Sequence, residues 1–153
     1  MNMRKIPQVL AGLSVLCALG ATLPVPVPVQ AQAQADASLF HDLGGLPVIR
    51  QTVQDFLATM LADPRIRHTF DGANLKRLED KLVEQFCMLS GGGCVYTGDP
   101  MKEVHQGLKL SNADFNALVE DLQLAMDKNG ISARTQNRLL ALLAPMQRDT
   151  VTR

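Results

Sequence analysis

The sequence predicts an all-α fold, on three observations. Several segments carry apolar residues at three- and four-residue spacing, no segment shows the two-residue alternation of a half-buried strand, and capping residues and glycines stand where helices would begin and end. The 153 residues suffice for one domain with its own core, and no internal repeat divides them.

A first helix is predicted over 47–61, where Ile49, Val53, Phe56, Leu57, Met60 and Leu61 form an amphipathic stripe after the Gly44-Gly45 turn. A second is predicted over 74–90 from Leu75, Leu78, Leu82, Phe86 and Leu89, and the triple glycine 91–93 stops it. Residues 91–100 hold four glycines and a proline with little periodicity, and read as a loop. A short turn ending at His105 follows. Ser111 with Asp114 three residues on starts another helix, whose face of Phe115, Leu118, Leu122, Ala125 and Met126 runs to Asn129-Gly130. Ser132 caps the last helix, lined by Leu139, Leu142, Leu143 and Met146, and Pro145 should kink or thin its end.

The N-terminus has the layout of a secretory signal peptide. Arg4 and Lys5 precede an apolar stretch from Ile6 to Leu23, and Ala31, Ala33 and Ala35 offer small residues in an Ala-x-Ala register. Cleavage after Ala33 or Ala35 would leave a domain over 36–153. A retained membrane anchor fits less well, because Gln8, Gly12 and Gly20 dilute the segment and Pro24, Pro26 and Pro28 end it early. A lipid anchor on Cys17 lacks the small residue expected before the cysteine. Stable membrane insertion of the processed chain is therefore not expected.

Processing would take Arg4 and Lys5 and no acidic side chain, so the formal charge moves from zero to minus two, which is no footprint for nucleic acid. Cys87 and Cys94 would remain. Two readings stand open for them: a bridge in an oxidising compartment, worth about 2–3 kcal/mol for so short a loop, or two half-buried thiols.

The catalytic inventory is thin, with three histidines, one tyrosine, no Cys-x-x-Cys, no phosphate loop and no His-Glu-x-x-His. Hydrolase and nucleotide chemistry lose support. His105, in Met101-Lys102-Glu103-Val104-His105-Gln106-Gly107, lies between two helices whose apolar faces could enclose a flat hydrophobic cofactor. A lone histidine in such a setting is more often a solvated or core residue than a ligand.

Six short motifs change that weighting. Leu43-Gly44-Gly45, Asp55-Phe56, Leu61-Ala62-Asp63-Pro64, Phe70-x-Gly72, Tyr96-Thr97-Gly98 and Val104-His105-Gln106-Gly107 occur in the order and spacing of group I truncated haemoglobins, and the chain resembles that family over about 39–151. The resemblance implies a two-over-two helical sandwich around haem, with His105 as the proximal iron ligand and Phe70 packed on the haem face. Arg77 and Lys102 match positions near the haem propionates, although solvated surface charges are nearly as good a reading. Met101, Phe86, Leu118 and Leu122 would line the pocket, as apolar residues that are core in either case. With no Cys-x-x-Cys-His, the expected group is haem b held without covalent links.

The departures from the family bear on function. The family usually has a tyrosine directly after Phe56 that donates a hydrogen bond to the bound gas, and often a glutamine at the position of Leu82. Here Leu57, Leu78 and Leu82 are all apolar. Loss of such a donor costs about 1.5–3 kcal/mol, roughly ten- to a hundredfold in affinity for dioxygen. Lys81 matches a position that supplies a sixth iron ligand in some members, but a lysine binds metal only as the neutral amine, and a solvated ammonium is the simpler reading. His41 and His68 are weaker candidates for the haem edge.

The expectation is an exported globin that binds O2, CO or NO at an iron with an apolar distal side. The alternatives are a haem redox enzyme needing a separate reductase (nitric oxide dioxygenase, nitrite reductase or peroxidase-like), a carrier of haem, or a haem-free helical interaction module.

Overall fold

The computed structural model describes residues 38–153, and all its regular elements are helical. The predicted signal segment and its cleavage site lie outside the described residues. The four long helices are α1 (Gly45–Ala62), α2 (Leu75–Leu89), α4 (Asn112–Lys128) and α5 (Ala133–Leu143), with the single turn α3 (Met101–Val104) between α2 and α4 and the short α6 (Gln147–Thr150) after α5. A helical stretch over 38–42 precedes α1, and a 3-10 turn, Arg67–Phe70, bridges α1 to α2.

Three of the four long helices, α2, α4 and α5, start where the sequence supplies a side-chain acceptor. Asn74 Oδ1 accepts from the Arg77 amide at 3.0 Å. Ser111 and Asp114 form the reciprocal capping box, with the Ser111 amide donating to Asp114 at 2.8 Å, and Ser132 accepts from Thr135 at 3.3 Å. Such caps contribute about 1 kcal/mol each. Pro145 acts as anticipated. It has no N–H to return to the preceding turn, so α5 gives way to a 3-10 turn, Ala144–Met146, and the chain re-enters helix only at α6.

The helices form two pairs, α1 with α2 and α4 with α5, and α1 packs on α4 as well as on α2. Ile49, Val53, Phe56, Leu57 and Met60 of α1 meet Val83 and Phe86 of α2 and Ala117, Leu122, Ala125 and Met126 of α4 in one core. The second helix differs from its predicted stripe. Val83, Gln85, Phe86 and Cys87 are its buried residues, while Leu75 is exposed and Leu78, Leu82 and Leu89 are half-buried; Leu78 and Leu82 face a cavity rather than another helix. Leu61, at the end of the first stripe, is also exposed.

Gly92 sits where a side chain cannot. A Cβ there would run into the Phe40 ring and lie 2.7 Å from Cys87 Sγ, so the turn after α2 is pressed against the 38–42 helix. The Phe40 amide donates to the Ser90 carbonyl at 3.0 Å across the same junction.

Asp121, in α4, is 2% exposed and its Oδ2 has no hydrogen-bond partner. Burial, reinforced by the nearby Asp63 carboxylate, pushes its carboxyl above the ordinary carboxylate range. A raised folded-state pKa means that ionisation is resisted in the fold and not in the unfolded chain, so stability is lost as pH rises through the carboxylate range. Asp121→Asn should therefore raise the urea midpoint at pH 7, by about 1 kcal/mol in free energy, and the gain should shrink at pH 3, where both side chains are neutral. Equal midpoints for the two proteins at pH 7 would count against the assignment.

Candidate functional site

A cavity of about 630 Å3 opens between the helix pairs, within the range of about 300–1,000 Å3 for small-molecule and cofactor sites. Its wall is built from every layer. Phe56 and Met60 come from α1, Phe70 from the 3-10 turn, Leu78, Leu82 and Phe86 from α2, Met101 and Val104 from α3, and Phe115, Leu118 and Leu122 from α4. His105, the residue that ends α3, joins them as the imidazole in that wall.

The imidazole is held in one orientation by its own helical turn. His105 Nδ1 lies 2.7 Å from the Met101 carbonyl oxygen, four residues back. A carbonyl can only accept, so this nitrogen carries a proton and donates, and in the neutral ring the lone pair falls to Nε2. A half-buried histidine with Nδ1 tied to a backbone carbonyl suits metal ligation through Nε2.

Most of the predicted site residues meet at this cavity: His105, Phe70, Arg77, Leu78, Met101, Phe86, Leu82, Leu118 and Leu122 all line it. Leu57 and Lys102 do not. Leu57 is one residue beyond Phe56 on α1, and that rotation puts it in the core, 8% exposed. Lys102 follows Met101 on α3 and turns to solvent by the same geometry. Arg77 stands at the mouth, paired with Asp99 at 2.8 Å. Lys81 borders the cavity, but its side-chain nitrogen is engaged by both Glu84 oxygens at 2.8 and 2.9 Å and by Thr97 Oγ1 at 2.5 Å. His41 and His68 are exposed and line no part of the cavity.

Sequence reasoning missed a second group of wall residues. Tyr96, Gly98 and Asp99 come from the loop over 91–100, and Leu140, Leu143 and Met146 come from the C-terminal helical segments. The Tyr96 hydroxyl donates to the Asp99 carbonyl at 3.0 Å, and the ring lies so close over Gly98 that a Cβ there would strike it. Burial and the neighbouring Asp99 raise the phenol above its usual pKa. Gln85 was also missed: it is 7% exposed, and its Nε2 lies 3.6 Å from the sulfurs of both Met101 and Met146. The close loop-to-helix approach at Tyr96-Thr97-Gly98 was the signal available in the sequence, since a glycine beside an aromatic residue marks it.

With this geometry in view, comparison with known proteins gives a consistent answer. The family model for bacterial-like globins matches residues 38–152. The chain belongs to the bacterial-like globin family. Within it, the similar proteins are group 1 truncated haemoglobins. That of Mycolicibacterium paratuberculosis is 34% identical over 116 residues, 76% of this chain and 85% of the relative. That of Tetrahymena thermophila is 33% identical over 95 residues, 62% of this chain and 78% of the relative. Among solved structures, the Fe(III) truncated hemoglobin of Tetrahymena pyriformis superposes with a TM-score of 0.72 at 26% identity, covering 75% of this chain and 98% of that one. The two-over-two sandwich anticipated from the motifs is therefore the fold of this protein.

Two measurements check the wall. Gly98→Ala should force the Tyr96 ring out of its place at a cost of about 1–3 kcal/mol, and because the chain has one tyrosine and no tryptophan, its ultraviolet emission should change with it. The Lys81 ammonium and the Thr97 amide beside it pull the Glu84 carboxyl down to about 2. A depressed folded-state pKa gives stabilisation that is present above the unfolded value and lost only as pH falls through the folded one. The Thr97 amide should thus stay bonded at pH 4 and be released near pH 2, as a proton NMR titration of that amide would report.

Proposed function

We propose that this protein is an exported globin that carries one haem b, held without covalent links, and binds small diatomic gases at the iron, with His105 as the proximal ligand. The observation that carries the reading is the His105 Nδ1–Met101 carbonyl bond in the wall of a predominantly apolar cavity. It directs the lone pair of the neutral imidazole to Nε2, and the neutral ring is the form in which histidine binds iron.

The residues suit the group. Phe70, Phe86, Leu118 and Leu122 provide apolar surface for a porphyrin, and Arg77 at the mouth can exchange Asp99 for a propionate carboxylate. Haem supplies an iron with a coordination position open to O2, CO or NO. The chain decides which gas is favoured. Leu78 and Leu82, on the cavity side of α2, carry no hydrogen-bond donor, and Leu57 lies in the core instead of presenting one. Dioxygen takes on partial negative charge when it binds and gains most from a donor. This pocket accordingly favours CO and NO over O2, by a factor of roughly ten to a hundred relative to a pocket with one good donor.

Export is supported by the N-terminal segment of Arg4, Lys5 and the apolar run to Leu23, and by the Cys87–Cys94 disulfide, a bond that persists in oxidising compartments. N-terminal sequencing of protein recovered from the periplasm or medium should begin near Asp36. Protein found only in the cytoplasm, with its first residues intact, would remove this part of the proposal.

Three variants test the site. Purified protein titrated with haem should bind one equivalent and give an intense Soret band. His105→Gly should lose the native spectrum and recover it with added imidazole, whereas Lys81→Ala should leave it unchanged. Leu82→Gln should slow oxygen dissociation by about tenfold or more while changing CO affinity little. A His105→Gly protein with the parent's spectrum would overturn the axial assignment.

A further inference from the structure

The loop between α2 and α3 runs back along α2 and is tied to it at successive turns. Cys94 is bonded to Cys87, with Cα atoms 5.6 Å apart. Next, the Thr97 amide and hydroxyl both donate to Glu84 Oε2 at 2.9 Å, and Lys81 donates to the same hydroxyl. Last, Asp99 accepts from Arg77 at 2.8 Å, and Pro100 then caps α3, which ends at His105. The loop is thus a strap that supplies Tyr96, Gly98 and Asp99 to the cavity wall and positions the helical turn carrying the imidazole.

Little else holds it. No backbone–backbone hydrogen bond joins residues 93–99 to the rest of the described chain, and the Arg77–Asp99 pair is exposed on both sides. Exposed pairs of this kind contribute little to holding a segment in place. The disulfide is the one covalent tie. Its two sulfurs are unequal: Cys87 is completely buried against Gly92, while Cys94 is half-buried and within reach of solvent.

We propose that the Cys87–Cys94 bond is a reversible latch on the strap, and that opening it frees the His105 turn and speeds release of the bound cofactor. The inference rests on the reading that the cavity holds haem. The opening step is thiol–disulfide exchange with an external dithiol, either a small molecule or a redox protein. Its thiolate attacks Cys94 Sγ, the Sγ–Sγ bond breaks, and Cys87 leaves as a thiolate and takes up a proton. The second thiol of the donor then closes on the first, displacing Cys94, so the donor loses two electrons and two protons and ends as a disulfide while the chain ends with two thiols. In an oxidising compartment the strap stays closed and the cofactor is retained. On contact with a dithiol donor the same chain becomes a haem donor.

The test compares the disulfide and dithiol forms of the haem-loaded protein, the latter made with a water-soluble phosphine and assayed for free thiols. The rate of haem transfer to excess apomyoglobin is followed by absorbance. The dithiol form should transfer at least fivefold faster, and reoxidation should restore the slow rate. The double variant Cys87→Ser, Cys94→Ser should transfer at the fast rate with or without phosphine, which separates the latch from any action of the phosphine on the iron. Equal rates for the two forms of the parent protein would overturn the latch and leave the haem reading intact. A chain that takes up no haem would overturn the haem reading instead. The strap would then be tested by hydrogen exchange of amides 95–104, which should quicken at least tenfold on opening the bond, and unchanged protection would reject it.

Discussion

The hydrogen bond from His105 Nδ1–H to the carbonyl of Met101 governs what the cavity can do. It is made within a single helical turn, so the ring orientation is set by local geometry before any cofactor arrives. It also decides the tautomer, because an acceptor at one nitrogen forces the lone pair to the other. The surrounding wall, with Phe70, Phe86, Leu118 and Leu122 among its residues, gives the ring largely apolar neighbours. Without that one bond the ring could turn on its side-chain torsions, and the cavity would be a greasy cleft with a loose polar group at its edge.

A cavity of this size also explains how the helices divide their surfaces. α2 puts Val83, Phe86 and Cys87 into the core while Leu78 and Leu82 stay half-buried along the cavity, so a single helix serves two interfaces. A hydrophobic group that fills the space adds apolar burial to the folded state only, and cofactor affinity and conformational stability are therefore linked quantities in this protein. The buried Asp121, whose Oδ2 has no hydrogen-bond partner, works in the opposite direction and lines no part of the cavity.

Much of the architecture was legible in the residues. Helix ends were marked by Asn74, Ser111, Ser132 and Pro145, because caps and prolines act within one turn and need no tertiary information. The wall residues on helices were also legible, since one apolar face at helical spacing must meet either core or cofactor. Periodicity could not separate those two fates; Leu57 was expected beside the cofactor from its family position, and it stands in the core. Tyr96 and Asp99 were not placed in the wall because a loop has no period: Asp99 is held by Arg77, 22 residues back on α2, and the loop by the Cys87–Cys94 disulfide, neither of which a local pattern encodes. The motifs shared with truncated haemoglobins supplied the long-range arrangement that spacing alone could not.

The C-terminal end closes the region below His105. Leu110 accepts from the Thr152 amide at 2.9 Å and donates to the Thr152 hydroxyl at 3.1 Å, and Met146 reaches the wall beside Met101 through Gln85. A chain made on the ribosome from its N-terminus would therefore fold α1 and α2 long before residues 146–152 emerged to clasp the segment after α3. Because Met146 is part of the wall, the cavity is complete only once the chain from α1 through residue 146 has been made.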